Sequence, residues 1–124
     1  MSSLGETLVN LRDERGLTQR KLAKALNISS SSVSAFETNA RIPTTANLIS
    51  YADFFNVTTD YLLGRTRDKL NPQILDELFI DGVTYGALLK SMKVLTPNQR
   101  IALQQVINDM RISAEVRESA NRME

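Results

Sequence analysis

Cysteine, histidine and tryptophan are all missing from the 124 residues. Without cysteine there is no disulfide framework, no thiolate nucleophile and no Cys-ligated metal. Without histidine there is no His-ligated zinc, no Ser-His-Asp triad and no imidazole acid–base chemistry. Aromatics are scarce at 6%, so Leu, Ile, Val and Ala must do most of the packing. No apolar run is long enough to cross a membrane. The opening MSSLGETLVN has no basic stretch followed by an apolar one, so no signal peptide is expected. A reducing, cytoplasmic location fits the lack of disulfides. There is no clustered carboxylate motif, Gly-rich phosphate loop or metal-ligand spacing. No catalytic residue, metal or other cofactor is therefore expected, and the chain does not read as an enzyme.

What remains is globular in composition, 42% hydrophobic and 23% charged, and has the length of one ordinary domain or of a small domain with an appendage. The net charge is +1, but it is unevenly spread. Residues 1–67 carry eight Lys/Arg against six Asp/Glu, and residues 68–124 seven against eight. Within 12–41 the count is six against three. That local excess suits a polyanion, although solvated helix faces often show the same imbalance.

Helical periodicity dominates. Leu4, Leu8, Leu11 and Arg15 form one stripe on a first helix over 3–15, ended by Gly16 as a left-handed cap. Thr18 caps a second short helix, 19–25, with Leu22, Ala23 and Leu26 inward. Asn27 breaks the pattern. Ser29 caps a third helix over 30–38, with Val33 and Phe36 inward. Thr44 or Thr45 starts a fourth that runs to Phe55, with Leu48, Ile49, Ala52 and Phe55 on one side. Thr58 starts a short fifth, TDYLL, ended by Gly64. Residues 65–71, RTRDKLN, read as a linker between a 1–64 domain and a 72–124 region. Beyond it a helix is expected over 72–79. Asp81-Gly82 then allows two readings, a break between helices or the turn of a small hairpin pairing LFI with VTY. A helix over 84–93 follows. Thr96-Pro97 starts a last helix running to about residue 120, with Leu103, Val106, Ile107, Met110 and Ala114 as its apolar stripe. The fold class is all-α, five helices followed by a small, mainly helical C-terminal region.

Two short helices joined by an Asn-containing turn, QRKLAKALNISSSSVSAFET over 19–38, suggest a helix-turn-helix. Ala23 sits where the helices must cross closely. The stretches LVNLRDERGLTQRKLAKAL, ISSSSVSAFE, ARIP and LISYADFFNVTTDYLLG together resemble the Cro/repressor-type (xenobiotic-response-element-like) helix-turn-helix regulators. The resemblance covers about half the chain. It departs from the family pattern at Asn27, Asn39 and Asn56, turn positions where glycine is frequent; asparagine tolerates the left-handed region better than other non-glycine residues.

The resemblance implies a DNA-binding domain whose third helix enters the major groove. Opposite Val33 and Phe36, that helix carries Ser30, Ser31, Ser34, Ala35 and Thr38 as base-facing candidates. Serine and threonine hydroxyls both donate and accept, so each contact discriminates poorly; Ala35 or the Thr38 methyl suits a thymine methyl. Water and DNA shape must then add to specificity. Phosphate contacts are expected from Gln19, Arg20, Ser29, Ser32, Asn39 and Arg41, with a loop salt bridge as the plainer role for Arg41. Arg12 and Glu37 match a pair that braces the first helix against the third in similar repressors. The expected partners are double-stranded DNA on a palindromic site and a second copy of the chain, held through the 103–114 stripe. That stripe can equally pack within the chain against 72–93, or dock a protein antagonist. The function implied is a sequence-specific transcriptional repressor, similar to short regulators of phages, mobile elements and developmental switches. An antitoxin or adaptor that binds a protein through its C-terminal helices and uses DNA binding for autoregulation is the alternative.

Overall fold

In a computed structural model, which describes residues 2–123, the helices are α1 (Leu4–Glu14), α2 (Gln19–Leu26), α3 (Ser30–Glu37), α4 (Thr45–Phe55), α5 (Thr59–Leu62), α6 (Tyr85–Lys93) and α7 (Pro97–Met123). The short strands β1 (Leu78–Ile80) and β2 (Val83–Thr84) stand between α5 and α6. The chain divides into two units, Met1–Ile74 and Leu75–Glu124.

Side-chain oxygens set the helix starts of the first unit. Ser3, Thr18, Ser29, Thr44 and Thr58 each accept a backbone N–H from the first turn that follows, satisfying a donor the helix itself leaves without a partner. Ser3 also closes a reciprocal capping box with Glu6. The stops are left-handed residues. Asn27 and Asn56 both have φ 55°, Asn39 φ 62° and Gly16 φ 64°, so asparagine does serve where glycine is more usual. The interior between these helices is built from Leu8 and Leu11 of α1, Leu22 and Ala23 of α2, Val33 and Phe36 of α3, and Leu62 of α5. Each large aliphatic side chain so buried contributes roughly 1.5–3 kcal/mol of transfer free energy.

On α4 the inward residues are Tyr51, Ala52 and Phe55, with Leu48 partly covered. Ile49, expected inward, is exposed. Leu48, Tyr51, Ala52 and Phe55 follow the i, i+3, i+4, i+7 pattern, which turns position 49 about 100° away. Tyr51 packs edge-on to Phe36 and stacks on Phe55. Its hydroxyl is buried without a hydrogen-bond partner. Burial first, and the Glu37 carboxylate second, push the phenol up to about 12 from its ordinary 10.0. The protonated phenol therefore favours folding fully below pH 10, and that contribution disappears as pH rises from 10 towards 12. Tyr51→Phe is expected to raise stability near neutral pH by about 1 kcal/mol, since an unpaired buried hydroxyl is removed. The variant should also lose less stability than the parent over that alkaline window. Thermal unfolding of both proteins as a function of pH checks this; a less stable phenylalanine variant at pH 7 would contradict it.

Residues 65–71 are tied back onto the first unit. Lys69 Nζ pairs with Glu14 at 3.0 Å, and Asn71 Nδ2 donates to Asn56 Oδ1 at 2.7 Å. The expected 72–79 helix is reduced to a 3-10 turn, Pro72–Asp76. Of the two readings of Asp81-Gly82, the hairpin holds: Leu78 pairs with Thr84 and Ile80 with Val83, antiparallel, across an irregular step. Gly82 takes φ 78° in the turn, a conformation glycine adopts without steric cost. The residues LFI are apolar at successive positions, so periodicity could not separate strand from helix there. Thr84 then caps α6. Thr96 and Gln99 cap α7 reciprocally, the Thr96 N–H donating to Gln99 Oε1 at 2.9 Å and the Gln99 N–H to Thr96 Oγ1 at 3.3 Å. Among the described residues no helix is long and apolar enough to cross a membrane.

Candidate nucleic-acid interface

The α3 helix owes its position to its apolar back and to one buried ion pair. Val33 and Phe36 fix the inner face. At its last turn Glu37 is buried, with a side chain only 3% exposed against 15% for Arg12. Arg12 Nε donates to Glu37 Oε1 at 2.6 Å and Nη2 to Oε2 at 3.1 Å, while Nη1 donates to the Leu17 carbonyl at 2.8 Å. The guanidinium is thus used as a fork, the geometry that makes Arg–carboxylate pairs strong. The Glu37 hydrogen bond, chief among its causes, raises the Arg12 pKa further. Gln19 joins the same carboxylate, with Nε2 donating to Glu37 Oε2 at 2.8 Å. A carboxylate only accepts, so the amide nitrogen must face it. One amide hydrogen and the oxygen are left over at the start of α2. Gln19 is thereby oriented by the Arg12–Glu37 pair.

The outward face of α3 is open. Ser30 and Ser31 are exposed, and Ser34 and Ala35 are half-buried. Ser30 and Ser34 side chains make no hydrogen bond among the described residues. Thr38 Oγ1 donates back to the Ser34 carbonyl at 3.0 Å, so its hydroxyl hydrogen is already used. The remaining serines are not independent. Arg41 Nη2 donates to Ser32 Oγ at 2.6 Å, Ser32 Oγ lies 2.8 Å from Ser29 Oγ, and Ser29 Oγ lies 3.0 Å from Ser31 Oγ. This hydroxyl chain leads from a cation to the N-terminus of α3, where free backbone N–H groups favour an anion. Arg41 also lies over the Phe36 ring, 5.5 Å from its centroid, so its guanidinium is held rather than trailing in solvent. Arg20, Lys21 and Lys24 are exposed on α2.

Asn39 has a role the sequence did not reveal. Its Oδ1 accepts the Gly5 N–H at 3.0 Å and its Nδ2 donates to Ser3 Oγ at 3.1 Å. It therefore fastens the start of α1 to the turn that leads to Arg41. Gly5 is required at this junction, since a Cβ there would meet the Glu37 carbonyl oxygen and both Asn39 amide atoms at less than 3 Å. A lone glycine inside a helical pattern is the one sequence signal that pointed to such close approach. Arg15, placed on the apolar stripe of α1, lies 5.0 Å from the centroids of both Phe54 and Phe55, which explains a cation at that register.

An exposed helix of small polar side chains, braced from behind and preceded by another eight-residue helix across an asparagine turn, is the arrangement of a helix-turn-helix. The helix-turn-helix family (HTH_3) aligns with residues 8–62. Residues 8–62 are a Cro/C1-type helix-turn-helix domain. Within it the matched segment takes in α1 to α5 from Leu8 to Leu62, hence the whole Arg12–Gln19–Glu37 network. Among characterised proteins, the HTH-type transcriptional regulator ImmR of Bacillus subtilis is 41% identical over 63 residues, 51% of this chain and 50% of that protein. The chain thus spans about half the length of that relative. The cryptic phage CTXphi transcriptional repressor RstR of Vibrio cholerae is 27% identical over 107 residues, 86% of each chain. A transcriptional regulator from Listeria innocua shares the fold, with a TM-score of 0.50 at 18% identity over 89% of this chain and 94% of that one. The helix-turn-helix domain accounts for α1 to α5; the C-terminal unit lies outside the family match.

Proposed function

We propose that the chain is a transcriptional regulator that binds double-stranded DNA through α3, as a homodimer on a palindromic operator, and represses by occupying promoter DNA. The observation that carries this reading is the rigid presentation of a small-residue helix face. Short side chains at Ser30, Ser31, Ser34, Ala35 and Thr38 let the backbone approach the groove floor, with the Ala35 and Thr38 methyls suited to thymine methyls. Phosphates on either side would be held by Gln19, Arg20, Ser29, Ser32 and Arg41, with Asn39 fixing the turn that presents Arg41. Two relatives named as a transcriptional regulator and a transcriptional repressor support the same reading.

One domain with so few bidentate donors on its reading face would bind weakly. Two domains related by a two-fold axis and reading half-sites about 34 Å apart would multiply the contact. The dimer face we assign is the α7 stripe of Leu103, Val106, Ile107, Met110 and Ala114. Val106, Ile107 and Met110 are 48%, 43% and 66% exposed in the single chain, more apolar surface than a solitary helix usually leaves in water. Selection of bound sequences from random duplex DNA at two salt concentrations tests the whole reading. An inverted repeat with affinity that falls steeply with salt is the expected result. Recovery of no enriched motif, or of a single unrepeated half-site, would overturn it.

A further inference from the structure

We propose that α7 pairs with α7 of a second copy in an antiparallel sense, about a two-fold axis passing near residues 108 and 109. This rests on the homodimer reading above and specifies its geometry. Two features of the C-terminal unit are complementary and lie on one face of the same helix. Near its start, α7 and the end of α6 form a groove floored by Met92, Leu95, Leu103 and Ile107, with Lys93 and Arg100 beside it. Neither Lys93 nor Arg100 makes an ion pair among the described residues; the Arg100 guanidinium donates to the Lys93 carbonyl, at 2.8 Å. Further along α7 a shallow depression is lined by Ala114, Arg117, Glu118 and Asn121. Glu118 is exposed there, with a loose contact to Arg122 at 3.5 Å.

Arg100 and Glu118 are 18 residues apart, which is about five whole helical turns. They therefore share one flank of α7. An antiparallel partner brings like flanks together, so Arg100 meets the partner's Glu118 and Glu118 meets the partner's Arg100. The same axis sets Leu103 against the partner's Ala114 and Ile107 against the partner's Met110, a large side chain over a small one and two of similar size together. The ladder of contacts is about 30 Å long at 1.5 Å per residue, repeated by symmetry. A parallel pair gives none of this. It stacks Ala114 on the partner's Ala114, leaving a void, and sets Arg100 beside the partner's Gln99, with no carboxylate within reach. Ile101, Ile112 and Val116 of α7 are on the far side, where Gln105 and Asn108 interrupt them.

The chain has no cysteine, so single introduced thiols report contacts cleanly. Full-length Leu103→Cys, Ala114→Cys and their equimolar mixture are oxidised mildly, beside sedimentation of the unmodified protein. A disulfide dimer from the mixture alone is expected, because the two copies of position 103 lie about 16 Å apart along the paired axes. Charge reversal gives a second readout. Arg100→Glu and Glu118→Arg are each expected to weaken dimerisation about tenfold, and the double variant to recover most of it. Disulfide formation by Leu103→Cys alone, or an unmodified dimer whose mixture does not cross-link and whose double variant shows no recovery, overturns the antiparallel geometry and leaves the homodimer standing. A protein that sediments as a monomer at tens of micromolar overturns both.

Discussion

Glu37→Ala is expected to destabilise the first unit by about 3 kcal/mol or more. The substitution removes both acceptors of the Arg12 fork and the acceptor that orients Gln19. Arg12 keeps the Leu17 carbonyl and an exposed neighbour, Asp13, at 3.4 Å. Its mostly buried charge is otherwise unpaired, and this residual cost, rather than the worth of the pair itself, sets the size of the effect. A melting temperature lower by more than about 10 °C should result. The double replacement Arg12→Met with Glu37→Leu should recover much of the loss, since apolar groups of similar volume often substitute for a buried pair without penalty. Urea and thermal unfolding of the three variants measure this. A loss below about 1 kcal/mol for Glu37→Ala would mean that the pair behaves as a surface salt bridge.

A second large effect is expected on DNA binding with no loss of fold. Ser30 opens α3, is exposed and makes no side-chain hydrogen bond among the described residues. A carboxylate at a helix start is favoured by the helix dipole by about 0.3–1 kcal/mol, so Ser30→Glu should fold at least as well as the parent. If α3 lies in a groove between phosphates, the same carboxylate faces a dense array of like charge. A penalty of about 3 kcal/mol, or roughly a hundredfold in affinity, follows. Fluorescence anisotropy with the selected operator, together with the melting temperature, separates the two consequences. Unchanged operator affinity in a stable Ser30→Glu protein would remove α3 from the interface and with it the proposed mode of binding.

Both predictions depend on how side chains are shared, and this is where sequence and structure part. The capping residues Thr18, Ser29 and Thr58 were legible because a helix start needs an acceptor and only a few side chains supply one. The left-handed stops at Asn27, Asn39 and Asn56 were legible because few residues tolerate that backbone. The inward residues of α2 and α3 followed from a 3.6-residue period. On α4 the sequence pattern puts Ile49 inward and does not single out Tyr51, whereas the structure exposes Ile49 and buries Tyr51. A tyrosine can be buried when aromatic neighbours surround its ring, and the sequence does not say where Phe36 and Phe55 will be. The hairpin at 78–84 was ambiguous because three consecutive apolar residues fit either period.

The candidate interface divides in the same way. Periodicity opposite Val33 and Phe36 was sufficient to nominate Ser30, Ser31, Ser34, Ala35 and Thr38. It could not say that Ser31 and Ser32 belong to a hydroxyl chain ending on Arg41, or that Thr38 donates its hydroxyl to the Ser34 carbonyl. Nor could it place Asn39 on Gly5, or Gln19 on Glu37. Those contacts join residues 34 and 18 positions apart, and no local rule reaches that far.

Read as a bare string, the residues are enough to establish five short capped helices, their inward faces and the absence of disulfide or imidazole chemistry, because each depends on a handful of neighbours along the chain. The packing of α1 against α3 was needed to turn Arg12, Gln19 and Glu37 into one network and to aim α3 outward. A hydrogen bond has a direction and a length of about 3 Å, and these become defined only when distant segments are brought together.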